Sequence, residues 1–498
     1  MLRQLARHPD GLCVITTRIG VHDLSDRQQP VVISHDLQNL CEADGVRLLQ
    51  SLGVTGSQAE LGKSVREYGG HALALSLLGN AVRMYLEGDI RQRDTLDALI
   101  DAEDRAGHHA FKVMRAYQHW LQGTAELKLL YLLGLFDHPV ETEVLQVLWA
   151  EQIPGLTDGI AEKSWKAAIH ALRDQHHLLS AHEGRPDLLD CHPLIREYFG
   201  GQLKAQQPEG WRQAHERLYE YYKALPEKEL PDTLEEMQPL FSAVAHGCAA
   251  GLHQQALDEV YWPRIKRKNE HYLTKKLGAF SDDLATVAHF FTPPWQSPAA
   301  GLGEIWQAGV LNWAGFRLRA LGRLREALEP MQANVEGFAK AEKWKSAAIS
   351  AGNLSELQLT LGEVAAARAS GQRSVDYADQ SGDMSMRMAC RTIHADTLHQ
   401  AGEAEAALAL FQEAEQLQQE WQPEYPRLYS LQGFQYCDLL LAQGGTAEVL
   451  ARAEESIRWE EKCMVRRFWT LHYINSPSDA PTSNRLSPPP LSGRGGRG

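Results

Sequence analysis

Glycine recurs at a fixed interval in the second half of this chain, and that interval constrains the fold more than any other feature. Gly322, Gly362 and Gly402 are spaced by 40 and 40, and each is followed five residues later by alanine, at Ala327, Ala367 and Ala407. The copies read RLRALGRLREALEPM, QLTLGEVAAARAS and TLHQAGEAEAALALF. A weaker copy, LLLAQGGTAEVLARA, puts Gly444 another 42 on, and CAAGLHQQALDEV carries Gly251 with Ala256 at the same offset. Glycine ends a helix in a left-handed conformation that other residues avoid. A small alanine lets the next helix lie close against the first. One such pair cannot bury its own apolar face, so pairs have to stack. The period predicts an α-solenoid over residues 300–460.

The remaining length needs further domains. The chain has 498 residues, which at about 150 residues per domain suggests roughly three. Its 44% apolar content is enough for real cores and excludes global disorder. Lysine and arginine number 50 against 64 acidic residues, a net charge of −14. An acidic chain does not attract polyanions as a whole, which argues against nucleic acid and acidic membranes as partners. No run reaches the length of a membrane helix. The seven cysteines are scattered with no C-x-x-C pair, as expected of reduced thiols in a cytoplasmic protein.

Residues 11–18 (GLCVITTR) and 30–34 (PVVIS) read as short buried strands, rich in β-branched residues. Residues 36–106 read as a bundle of amphipathic helices, broken around Gly53–Gly56 and Gly69–Gly70. Residues 107–205 give helices, then two short apolar runs, Leu178–Ala181 and Leu188–Leu189, around the turn residues Gly184 and Pro186, then a helix opening at Pro193. Helices followed by a hairpin is the winged-helix order. Residues 206–299 read as a helical linker or early repeat. After residue 460 the composition breaks: 461–498 ends in a Pro-, Ser- and Gly-rich stretch that reads as a disordered, aberrant tail.

Several near-motifs fail on context. GSQAELGKS, residues 56–64, has one residue too many for a P-loop and follows no strand. Gly493, Gly495 and Gly498 have dinucleotide-motif spacing but no strand or helix around them. His176, His177, His182, Cys191 and His192 match no common zinc spacing, so no metal site is expected. Residues 161–200 carry five basic residues against six acidic ones, which gives no phosphate-binding surface for DNA. No constellation of nucleophile and base is present, so no catalytic residues are assigned.

The Leu-Gly turn followed by alanine resembles tetratricopeptide (TPR) repeats, with longer helices than their usual period of about 34 residues. Three further motifs, taken in order, extend the likeness: Thr16-Thr17-Arg18 at the end of a strand, GGHALALSLLG from Gly69, and CHPLIREYF around His192. Strand, helical bundle, winged helix, repeats: this resembles the C-terminal part of a bacterial STAND-class signal-transduction ATPase of the NB-ARC type with a TPR sensor. The resemblance implies that Arg18 faces the γ-phosphate, that Gly69 and Gly70 begin the turn beside the nucleotide, and that His192 touches the β-phosphate of ADP. His71 and Ala72 stand where the family has Leu-Pro, and Cys191 and Pro193 flank the histidine in place of Met and Asp.

No Walker A loop or Walker B strand precedes residue 11. The expectation is a mainly α fold. It comprises a remnant of an α/β nucleotide-binding domain at 1–35, a helical bundle, a winged helix and the TPR-like solenoid. The expected function is that of a truncated regulator. Its repeats would recognise a protein or ligand, and it would hydrolyse no ATP by itself. ADP or ATP would bind only with the missing half supplied in trans by an upstream NTPase. Expected partners are a protein or peptide on the repeats and a second copy of the chain. The alternatives are a stand-alone TPR scaffold and a non-functional gene remnant.

Overall fold

The computed structural model describes residues 13–14, 33, 35, 37–93, 109–180, 182 and 184–462. The chain forms two compact units, one of residues 1–145 and 156–207, the other of 146–155 and 208–498.

In the first unit helix starts are set by local capping. Ser57 and Glu60 form a reciprocal capping box. The P-loop-like segment is therefore an ordinary helix entrance. It leads into α2 (Gln58–Glu67), which packs on α1 (Glu42–Ser51). His71 opens α3 (Ala72–Tyr85). α3 lies against α4 (His109–Trp120), where the Tyr85 and Trp120 rings stack at 4.0 Å. There follow α5 (Ala125–Leu133), β1 (Val140–Glu141), α6 (Thr142–Ala150), α7 (Glu162–His170), β2 (Leu188–Leu189) and α8 (Pro193–Gln206). β1 and β2 pair antiparallel, Val140 opposite Leu189, and Ser180 bridges Asp190. Leu188–Leu189 forms the strand expected there, but its partner is Val140–Glu141. The run Leu178–Ala181, expected to pair with it, forms no strand among its described residues and touches this region only at the Ser180–Asp190 bridge, with Gly184 between them at φ 76°. Gly134 and Gly200 let α5 and α8 touch backbone to backbone; a Cβ on Gly134 would stand 2.3 Å from the Gly200 nitrogen.

Of the two strands expected before residue 35, only Cys13, Val14 and Ile33 are described. They lie in no strand, and Val14 and Ile33 are 75% and 77% exposed. The buried-strand reading is not met at these positions: a strand needs a bonded neighbour, and no described strand pairs with them. The rest of both segments lies outside the described residues, as does the tail beyond 462.

The described part of the second unit is built of helices joined by turns and loops. α9 (Pro208–Ala224), α10 (Leu234–Ala249) and α11 (His253–Ala256) lead into a π-helix, Leu257–Ile265. α12 (Tyr272–Lys275) and α13 (Phe280–Ala288) follow. Then come eight long helices: α14 (Glu304–Ala320), α15 (Leu324–Lys340), α16 (Trp344–Thr360), α17 (Val364–Ser381), α18 (Met384–Gln400), α19 (Ala404–Trp421), α20 (Ser430–Ala442) and α21 (Thr446–Lys462). No helix among the described residues is long and apolar enough to cross a membrane.

The turns of this stack recur at half the period legible in the sequence. Gly322, Glu342, Gly362, Gly382 and Gly402 all have positive φ, at 76°, 56°, 78°, 66° and 82°. The same closing bond recurs across the first three and the last: Arg323 N–H to Leu318 O, Lys343 to Phe338, Glu363 to Gln358 and Glu403 to Leu398, at 2.8–2.9 Å. Ala327, Ala347, Ala367 and Ala407 are all fully buried under the preceding helix. A Cβ on Gly362 would meet nothing within 4 Å, so only its backbone conformation matters. Gly362→Ala is therefore expected to cost about 1 kcal/mol, read as a small fall in Tm. A loss several times larger would mean that the turn packs more tightly than described.

Candidate recognition surface

The residues assigned by resemblance occupy caps and turns. Arg18 lies outside the described residues. Gly69 and Gly70, at φ 60° and 66°, close the end of α2. The Gly70 N–H bonds Val65 O at 2.8 Å, its carbonyl accepts from Leu40 N–H at 2.9 Å, and the Asn39 amide donates to Gly69 O. A Cβ on Gly70 would stand 2.2 Å from Leu40 O, so glycine is demanded by the fold itself. His192 is exposed and caps α8: its Nδ1 accepts the Leu194 N–H at 3.2 Å. With Arg18 outside the described residues, the expected constellation of Arg18, Gly69–Gly70 and His192 stays a proposal, and the described members already serve as turn and cap.

The neighbouring histidines and cysteine are used structurally. His182 bonds Asp190 at 3.2 Å, and Asp190 also pairs with Arg196. Burial pushes the Cys191 thiol up to about 12, so it is no nucleophile at neutral pH. No group of three or more His, Cys, Asp or Glu suited to a metal occurs among the described residues.

The repeats present a more regular surface. α14, α16 and α18 are buried on almost every face, unlike the more amphipathic α15, α17 and α19. α16 packs on α18 and α18 on α20, so the first helices of successive pairs touch. One stripe on them stays partly open. It carries Phe316, Glu356 and Asp396, and one turn further Arg319, Leu359 and His399, each set at 40-residue steps. The stripe is knitted across helices: Arg319 pairs with Glu356 at 3.1 Å, the Gln435 amide approaches Asp396 at 3.4 Å, and His399 meets Asp438 at 3.4 Å. Burial holds the Asp396 carboxyl above its ordinary value, and Asp438 and Glu356 push the same way against the Gln400 bond and His399. Partly desolvated carboxylates on adjacent rungs favour a cationic or hydrogen-bond-donating partner. The sequence hid this row because equivalent positions change identity from repeat to repeat; only their spacing repeats.

Neither a family model nor a curated protein matches the chain. Among solved structures it is similar to a signal-transduction ATPase with numerous domains (STAND) protein with a tetratricopeptide repeat sensor from Pyrococcus horikoshii. The two share 12% identity at a TM-score of 0.32, over 87% of this chain and 61% of that one. The chain therefore spans less than two thirds of that neighbour's length.

Proposed function

We propose that this chain is the sensing part of a signal-transduction regulator of the STAND kind, whose TPR-like repeats recognise a protein or peptide. The observation that carries the reading is the row Phe316, Glu356, Asp396 with Arg319, Leu359, His399, repeated on helices that otherwise have no open face. Such stacked pairs offer one continuous surface for an extended partner. The order α5, β1, α6, α7, β2, α8 supports a winged-helix element ahead of the repeats. The segment nearest to a P-loop, residues 56–64, is a capped helix entrance, and the reading includes no ATP hydrolysis by the chain alone.

A positional-scanning peptide library on the purified chain tests recognition. Peptides rich in Lys or Arg are expected to be enriched, and Glu356→Lys with Asp396→Lys is expected to lower their binding at least tenfold while far-UV CD stays native. No enrichment, or enrichment untouched by the double variant, would refute the reading.

A second reading, a scaffold with no nucleotide role, is favoured by the cap and turn duties of His192, Gly69 and Gly70. Equilibrium binding of ADP and ATP with magnesium separates the two. Binding tighter than about 10 μM, weakened by Arg18→Ala or His192→Ala, would refute the scaffold and show that a nucleotide pocket persists in this chain alone; no binding leaves a recognition module with no nucleotide role of its own.

A further inference from the structure

A cavity of about 70 Å³ opens where α12 meets α14 and α16. Its polar wall includes Lys275, Asn312, Trp313 and Ser346, and its apolar wall includes Phe316 and Phe338. Trp313 and Ser346 are each 2% exposed, and their polar atoms Nε1 and Oγ have no hydrogen-bond partner among the described residues. Buried polar groups are normally satisfied, so two orphans lining one cavity need an explanation. An indole N–H only donates, and a lysine ammonium only donates. Lys275 is exposed at the rim and forms no ion pair among the described residues. Arg317 also lines the cavity, but its guanidinium is taken by Asp283 and Trp313 O. The free groups therefore ask for an acceptor carrying negative charge, and the phenyl walls ask for an apolar body beside it.

The backbone next to the cavity is also unusual. Arg267, Lys268 and His271 are all left-handed, at φ 56°, 54° and 51°, directly after the π-helix. Non-glycine residues rarely adopt this conformation, and both strained backbone and π-helical turns concentrate at functional sites. His271 sits both in this segment and on the cavity wall.

We propose that this cavity binds a small carboxylate with an apolar body, its head group received by Lys275, the Ser346 hydroxyl and the Trp313 indole N–H. The cavity shares Phe316 with the open stripe of the repeats, but its head-group residues Lys275, Trp313 and Ser346 lie outside that stripe, so the assignment does not rest on peptide recognition there. Phosphate is disfavoured because the phenyl walls offer nothing to replace its hydration.

The test titrates the full chain with butyrate and, separately, inorganic phosphate at constant ionic strength. The readout is the indole N–H resonance of Trp313, assigned by its loss in Trp313→Phe. Butyrate is expected to shift that resonance and to bind with a Kd of about 1 mM or tighter. Lys275→Gln, a surface change that leaves the core intact, is expected to weaken binding at least tenfold. Ser346→Ala is expected to raise the Tm of the empty protein, because it removes an orphaned hydroxyl, and yet to weaken butyrate. The proposal is overturned by any of three results: no shift with butyrate up to about 10 mM, a shift with phosphate alone, or wild-type affinity in Lys275→Gln and Ser346→Ala.

Discussion

Asp283→Ala is expected to destabilise the second unit by about 3–5 kcal/mol, the largest loss from any single polar change described here. Asp283 on α13 and Arg317 on α14 are each 2% exposed at the side chain and meet at 2.5 Å. Arg317 Nε adds a bond at 2.6 Å, Tyr261 O–H donates to Asp283 at 2.8 Å, and Arg317 also reaches Trp313 O at 3.1 Å. Burial works against the Arg317 charge, but the Asp283 carboxylate more than offsets it, so Arg317 is held above its ordinary value. Burial likewise pushes the Tyr261 phenol well above its ordinary value. Truncating Asp283 leaves a full positive charge buried beside Tyr261 and Trp313 with its carboxylate partner gone. The pair itself is worth far less than that loss, because both ions were desolvated to form it. Asp283→Leu with Arg317→Met is therefore expected to cost much less than the sum of the two single changes. Urea unfolding, with hydrogen exchange to identify the transition of residues 208–462, measures this. A loss under about 1 kcal/mol for Asp283→Ala, or strict additivity in the double variant, would sink the argument.

The sequence made the repeats legible because their signal is local. A glycine that must be left-handed and an alanine that must be small leave the same mark each time, and Gly322, Gly362 and Gly402 stand at the turns expected of them. The intervening turn at Glu342 was illegible. A glutamate takes the left-handed position there, held by the Lys343 N–H bond to Phe338 O, and no residue type announces it. The glycine pair at 69–70 was legible as a turn, but its demand for glycine comes from Leu40 O, a contact across 30 residues. The stripe through Phe316, Glu356 and Asp396 has a period but no composition. The cavity had neither. Lys275, Trp313 and Ser346 come from separate helices, and what marks them is a missing partner, which only the assembled fold can reveal.

Lys266→Met is expected to stabilise the protein, and the gain is expected to depend on pH. Lys266 follows the π-helix and is 2% exposed, with Nζ 4.2 Å from the Trp262 ring centre and 5.2 Å from that of Trp313. It donates to Lys268 O at 2.6 Å and lies 3.5 Å from His271 Nε2. Burial pushes the ammonium down to about 6; Arg317 and Lys275 push the same way, and Asp283 only partly opposes them. The unfolded chain holds that proton up to about pH 10.5. Between these values the unfolded state binds more protons than the folded one, so stability rises with pH. It is fully present above about pH 10.5, falls as the pH drops toward about 6, and changes no further below that. At pH 7 linkage alone gives a penalty of roughly 5 kcal/mol, and the Lys268 carbonyl that loses its donor returns part of it. Lys266→Met is thus expected to gain about 3 kcal/mol at pH 7 and progressively less toward pH 10. Titrating groups remote from Lys266 are common to both proteins and cancel in the difference; His271, Lys275, Asp283 and Arg317, which face it, do not, and a His271→Gln background separates the histidine's share. Thermal unfolding of the two proteins side by side across that range reads the gap directly. A variant less stable at pH 7, or a gap that does not shrink as the pH rises, would mean that Lys266 keeps its proton in the fold and that the two tryptophan rings are holding a cation.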